Sequence, residues 1–122
     1  MSVLFLTADL ATSSKVTGAA ARQGVPLTVA MNADRLCELA EATPPRMVLL
    51  DLTFTGVSPA ELVPRLRALP RPPLSIVAFG PHVHEARLAE AVEAGCDAVM
   101  SRGQFYAQVD QVLGSTRNAA ES

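Results

Sequence analysis

Asp9 and Asp51 each end an unbroken apolar run, Val3 to Ala8 in one case and Met47 to Leu50 in the other. Two carboxylates brought into one crevice repel unless a proton or a cation lies between them, so such a pair suits a hard, oxygen-seeking ion such as magnesium. The plain alternative is that both are polar residues where a strand meets water. His82 and His84 lack the i, i+4 spacing of helical zinc ligands and read as exposed loop histidines. Cys37 and Cys96 form no C-x-x-C pair and read as small core residues of a protein kept in a reducing, cytoplasmic setting. Gly80 and Gly103 read as turn residues. No G-x-G-x-x-G follows the first apolar run, and Ala11 to Ser14 offers no phosphate cradle, which argues against a dinucleotide cofactor.

The elements that must position these residues alternate between strand and helix. Apolar, strand-forming runs at Val3 to Ala8, Leu27 to Met31, Met47 to Leu50, Leu74 to Phe79 and Ala98 to Ser101 predict five strands. Between them, a helix over Leu10 to Gln23 is stopped by Gly24, and Asn32 caps a helix whose Leu36, Leu39 and Ala40 share a face. Ser58-Pro59-Ala60-Glu61 has the form of a capping box with proline at the first helical position, although Pro64 suggests that the regular helix begins only near that residue. Glu85 to Ala94 should turn Leu88, Ala91 and Val92 inward before Gly95 stops it, and Phe105, Val109, Val112 and Leu113 mark a fifth helix. Short connections between strand-helix pairs require parallel strands and right-handed crossovers. The expectation is a flavodoxin-like (βα)5 doubly wound open sheet, its five parallel strands in the order 2-1-3-4-5. In such a sheet the ligand crevice lies beyond the carboxyl ends of the strands where strand order reverses, between the strands that end in Asp9 and Asp51.

The 122 residues suit one domain, expected over residues 1–114, with residues 115–122 as a polar, frayed tail. At 49% hydrophobic and 18% charged, the chain is rich enough in apolar residues to cover a sheet on both faces. A net charge of −2 with no basic run gives no footprint for nucleic acid or an anionic membrane, and no apolar run nears the length of a bilayer span.

The succession VLFLTAD, MVLLDLT, SIVAFG and EAGCDAVMSRG resembles the receiver domains of bacterial response regulators (the CheY-like superfamily) from Val3 to about Leu113. The resemblance implies a phosphoacceptor at Asp51, charged by a histidine kinase. It implies a magnesium ion held by Asp9, Asp51 and the backbone carbonyl of Thr53, and a phosphate-binding cation at Arg102. Several positions depart from the family pattern. Ala8 stands where a second acidic residue is usual, Phe79 where a Ser or Thr hydroxyl contacts the phosphoryl group, and Val99 where an aromatic side chain turns inward on activation. Arg102 replaces a lysine and Gly103 the proline after it, and a guanidinium is not the geometric equal of an ammonium.

These departures favour a pseudo-receiver: a non-catalytic, cytoplasmic signalling module with magnesium weak or absent. It would bind a protein partner, either a histidine kinase or an output protein, and would dimerise, if at all, through the fourth helix, fifth strand and fifth helix. The alternative is a receiver that accepts a phosphoryl group on Asp51. A third reading comes from Asp51-Leu52-Thr53-Phe54-Thr55, which resembles the nucleophile stretch of haloacid-dehalogenase-type phosphotransferases. That family needs a downstream lysine, whereas Lys15 is the only lysine here and lies upstream.

Overall fold

The computed structural model describes the backbone of residues 2–121 and the side chains of residues 2–116. Five strands, β1 (Val3–Leu6), β2 (Leu27–Ala30), β3 (Met47–Asp51), β4 (Ser75–Gly80) and β5 (Ala98–Ser101), alternate with five helices. These are α1 (Leu10–Gln23), α2 (Ala33–Ala42), α3 (Pro59–Arg67), α4 (Glu85–Ala94) and α5 (Arg102–Glu121). All strand pairs are parallel and the order is β2-β1-β3-β4-β5, so the expected doubly wound topology is the observed one.

The two-residue period of a strand sorts its side chains between two cores. On one face, Val48, Leu50 and Leu52 pack with Leu36 and Cys37 of α2, Leu62 and Leu66 of α3, and Ala91 of α4. On the other, Met47 and Leu49 pack with Val16 and Ala19 of α1 and with Phe105, Val109 and Leu113 of α5. By this parity Asp51, two residues after Leu49, belongs to the α1/α5 face, at the carboxyl end of β3. The rings of Phe79 and Phe105 stack there at a centroid separation of 4.0 Å and an interplanar angle of 3°. Burying each ring is worth about 1.5–3 kcal/mol.

Helix boundaries follow local chemistry. Gly24 and Gly95 adopt left-handed conformations, φ 66° and 98°, and close α1 and α4 as C-caps. Ser58 accepts a hydrogen bond from the Glu61 amide at 3.3 Å and caps α3. The helix starts at Pro59 rather than near Pro64. Pro64 lies early enough that only the Ala60 carbonyl loses its partner, and Ala60 is exposed to water.

Other expectations also change. Val92 is 62% exposed and does not face the core, which α4 meets through Ala91 and Leu88. Strand β1 ends at Leu6 and β2 at Ala30, leaving Met31 exposed. Gly103 lies inside the first turn of α5 rather than in a turn. That helix runs past the expected start of the tail: Ser115 and Thr116 donate to the carbonyls of Val112 and Leu113, while the side chains of the rest of the tail lie outside the described residues.

Candidate functional site

β1 and β3 are hydrogen-bonded neighbours, and the chain leaves them in adjacent positions at the point where strand order reverses. Asp51 is 3% exposed, and donors surround it. The Thr7 hydroxyl donates to its Oδ2 at 2.7 Å. The Thr53 amide and hydroxyl both donate to its Oδ1, at 3.0 and 2.7 Å. A buried carboxylate is costly without such partners, and these three bonds offset its desolvation.

Thr7 also accepts a hydrogen bond from the Asp9 amide at 3.1 Å, so one hydroxyl links the two strand ends. The Asp9 carboxylate is exposed and serves as the N-cap of α1. Its Oδ1 accepts from the Ala11 amide at 3.1 Å and its Oδ2 from the Thr12 hydroxyl at 2.6 Å. The Thr12 hydroxyl, helped by the Ala11 and Thr12 amides and the charge of Arg102, holds the Asp9 carboxyl below its ordinary pKa against the opposing effect of desolvation. Thr12 lies 3.1 Å from the Tyr106 hydroxyl, and the Lys15 ammonium sits 4.6 Å above the Tyr106 ring. The Asp9 carboxylate is thus tied into the seam between α1 and α5.

Arg102 opens α5 directly after β5, and its Nε is buried without a hydrogen-bond partner. Phe79 lies next to Asp51 in register, and its carbonyl accepts from the Leu52 amide at 2.8 Å, but its ring is fully buried against Phe105. Val99 packs towards the α4 face. Ala8 is exposed beside Asp9. Gly80 closes β4, and a Cβ there would lie 3.0 Å from that of Leu52, so close approach of two strands asks for glycine. His82 is exposed, and His84 precedes α4 without capping it through its side chain. Both cysteines are free, and burial pushes the Cys96 thiol up to about 11.

A hard cation would find a thin donor set here. No group of three or more His, Cys, Asp or Glu side chains suited to a metal exists among the described residues. Asp9 and Asp51 are already engaged by separate hydroxyl and amide donors.

Four participants escape the sequence reading: Thr7, Thr12, Tyr106 and Arg87. Thr7 had a signal, as the one hydroxyl in an apolar run and in step with Phe5, whose face it shares. Arg87 had another: a cation in the first turn of a helix runs against the helix dipole and so calls for a partner. Here it finds backbone carbonyls, with Nε donating to Leu52 at 3.1 Å and Nη2 to Phe54.

A parallel five-stranded sheet with its crevice at the reversal of strand order defines the doubly wound, flavodoxin-like class. Within that class, the fold is that of response regulator receiver domains. The receiver domain of sensor histidine kinase PA1611 from Pseudomonas aeruginosa PAO1, solved with a magnesium ion coordinated in its active site cleft, superposes with a TM-score of 0.81. It shares 13% identity over 93% of this chain and 94% of that one. A CheY-like receiver domain from Methylobacillus flagellatus gives a TM-score of 0.78 at 21% identity, over 94% and 97%. The receiver domain of Saccharomyces cerevisiae Ssk1, solved in complex with the histidine phosphotransfer protein Ypd1, gives 0.69 at 14% identity, over 84% and 78%. No protein-family model matches the chain, and no curated protein matches it significantly in sequence. No helix among the described residues is long and apolar enough to cross a membrane.

Proposed function

We propose that this chain is a receiver-like signalling module that acts by binding a protein partner, with phosphorylation of Asp51 impaired or absent. The observation that carries the reading is the engagement of both Asp51 oxygens by the hydroxyls of Thr7 and Thr53. A carboxylate attacks phosphorus through an oxygen lone pair, and hydrogen bonds to both oxygens lower its nucleophilicity. Phe79 adds to this, since the side chain beside Asp51 is a ring locked into the core and offers no donor to a phosphoryl group. Asp9, Asp51 and the Thr53 carbonyl would form at best a weak magnesium site.

The partner is a histidine kinase, a phosphotransfer protein or an output protein, and we place the chain in the cytoplasm without direct contact with nucleic acid or membrane. The surface of α4, β5 and α5 is the candidate face for docking or self-association. β5 is a half-exposed edge strand, and Val92 is open to solvent nearby. We assign no catalysis of its own to the chain. A phosphotransferase would need a cation near Asp51, but the ammonium of Lys15 is directed onto Tyr106.

One observation favours the second reading, a phosphorylatable receiver: the buried, unpartnered Nε of Arg102, whose charge is felt at Asp9. A phosphoryl oxygen would supply the missing acceptor. Intact-mass spectrometry after incubation with magnesium and acetyl phosphate separates the two, with Asp51→Asn as control. The expected result is an unshifted mass. A labile adduct of one phosphate, lost in Asp51→Asn, would overturn the pseudo-receiver reading.

A further inference from the structure

Arg87 is the third residue of α4, in the turn whose free amide groups form the positive end of the helix dipole. A guanidinium is disfavoured there, and His84 contributes no side-chain cap to relieve the helix end. The half-buried Arg87 instead reaches across to the loop between β3 and α3. Its Nε donates to the Leu52 carbonyl at 3.1 Å and its Nη2 to the Phe54 carbonyl. Leu52 and Phe54 flank Thr53, whose amide and hydroxyl both hold Asp51 Oδ1, and the Phe54 amide donates to the Asp51 carbonyl at 3.0 Å. The loop is therefore gripped from two sides, by the Asp51 carboxylate and by the planar fork of Arg87. Two carbonyls on one guanidinium are charge-assisted bonds whose geometry a lysine cannot reproduce.

We propose that Arg87 is a positioning residue that joins the β3–α3 loop and α4 into one unit, so that a change at the Asp51 carboxylate is transmitted to the outer face of α4. The path runs from Asp51 through Thr53 to the Leu52 and Phe54 carbonyls, and from there through Arg87 into the helix. The outer face of α4 carries Val92, 62% exposed, and the start of the helix borders an open groove of about 550 Å³ lined by Thr53, Thr55, Val83, His84 and Arg87. This route needs neither a hydroxyl at Phe79 nor an aromatic ring at Val99. It rests on the receiver reading only for its use in signalling, because the coupling exists whether or not Asp51 is ever modified.

Hydrogen exchange followed by mass spectrometry on the whole chain tests it, with Asp51→Asn, Arg87→Met and the double variant compared through peptides from the loop, from α4 and from β2 as control. Asp51→Asn replaces one acceptor oxygen by a donor and weakens the hold on Thr53. Exchange should then rise in both the loop and α4 by about fivefold or more, the low end of ordinary coupling between sites. In the Arg87→Met background the loop should still respond while the response of α4 disappears. Arg87→Lys, which keeps the charge but not the fork, should behave like Arg87→Met and serves in its place if that variant fails to fold. An α4 response of equal size with and without Arg87, or none in either, overturns the proposal. Failure of the pseudo-receiver reading shows instead as a phosphate adduct and leaves this comparison unchanged.

Discussion

At the scale of the residue, Phe79 and Asp9 are each tied to neighbouring elements around the crevice, Phe79 through its ring and Asp9 through its cap. Phe79, where the family resemblance would expect a hydroxyl, is the middle ring of a buried aromatic group with Phe5 and Phe105. Phe79→Thr should therefore lower stability by about 3–5 kcal/mol, as large-to-small changes at buried aromatics do, measured from urea unfolding midpoints. Asp9 is held by the Thr12 hydroxyl, so in Thr12→Ala its carboxyl should titrate at a higher pH than in the native chain, which carboxyl-carbon NMR would follow. The places of Asp9 and Asp51 at the strand ends were legible from apolar runs that stop at a carboxylate. The direction of the Asp9 carboxylate was not, because it depends on Thr12, three residues on, whose hydroxyl the helical spacing leaves unassigned.

At the scale of the element, caps and stops were legible and facing was less so. Asn32, Ser58, Gly24 and Gly95 do what residue type alone predicts, since each acts within a few residues of itself. Val92 misled because a helix on an open sheet buries only a narrow stripe, and its neighbour Ala91 fills it. The two residues should then differ sharply. Val92→Gln should change stability by no more than about 0.5 kcal/mol, whereas the same substitution at Ala91 should cost several times that through overpacking and burial of an amide, both read from denaturant midpoints.

At the scale of the whole molecule, the topology was legible because five apolar runs at short intervals leave few other ways to wind a sheet, and because the reversal of strand order fixes where a crevice must lie. Ties between distant segments, such as Arg22 to Asp110 across α1 and α5, have no local signature. They do leave a signature in acid and alkali. Asp110, through Arg22 and Gln23, and Asp9, through Thr12, have carboxyls lowered from the usual 3.8. Their contribution to stability is complete above 3.8 and is lost as pH falls below it towards their folded values. Burial raises the Cys96 thiol from 9.0 to about 11, so its contribution is complete below 9.0 and fades as pH rises through 11. Unfolding midpoints should therefore decline at both ends of the scale, and Cys96→Ala should flatten the alkaline side.

Tyr106 is the chain's only tyrosine, and the sequence has no tryptophan. Its ring lies under the Lys15 ammonium, and its hydroxyl meets the one that holds the Asp9 carboxylate. The tyrosine emission of the protein thus comes from a single reporter at the rim of the crevice. Whatever docks beside α1, or draws Asp9 out of its cap, should change that emission without any label being attached.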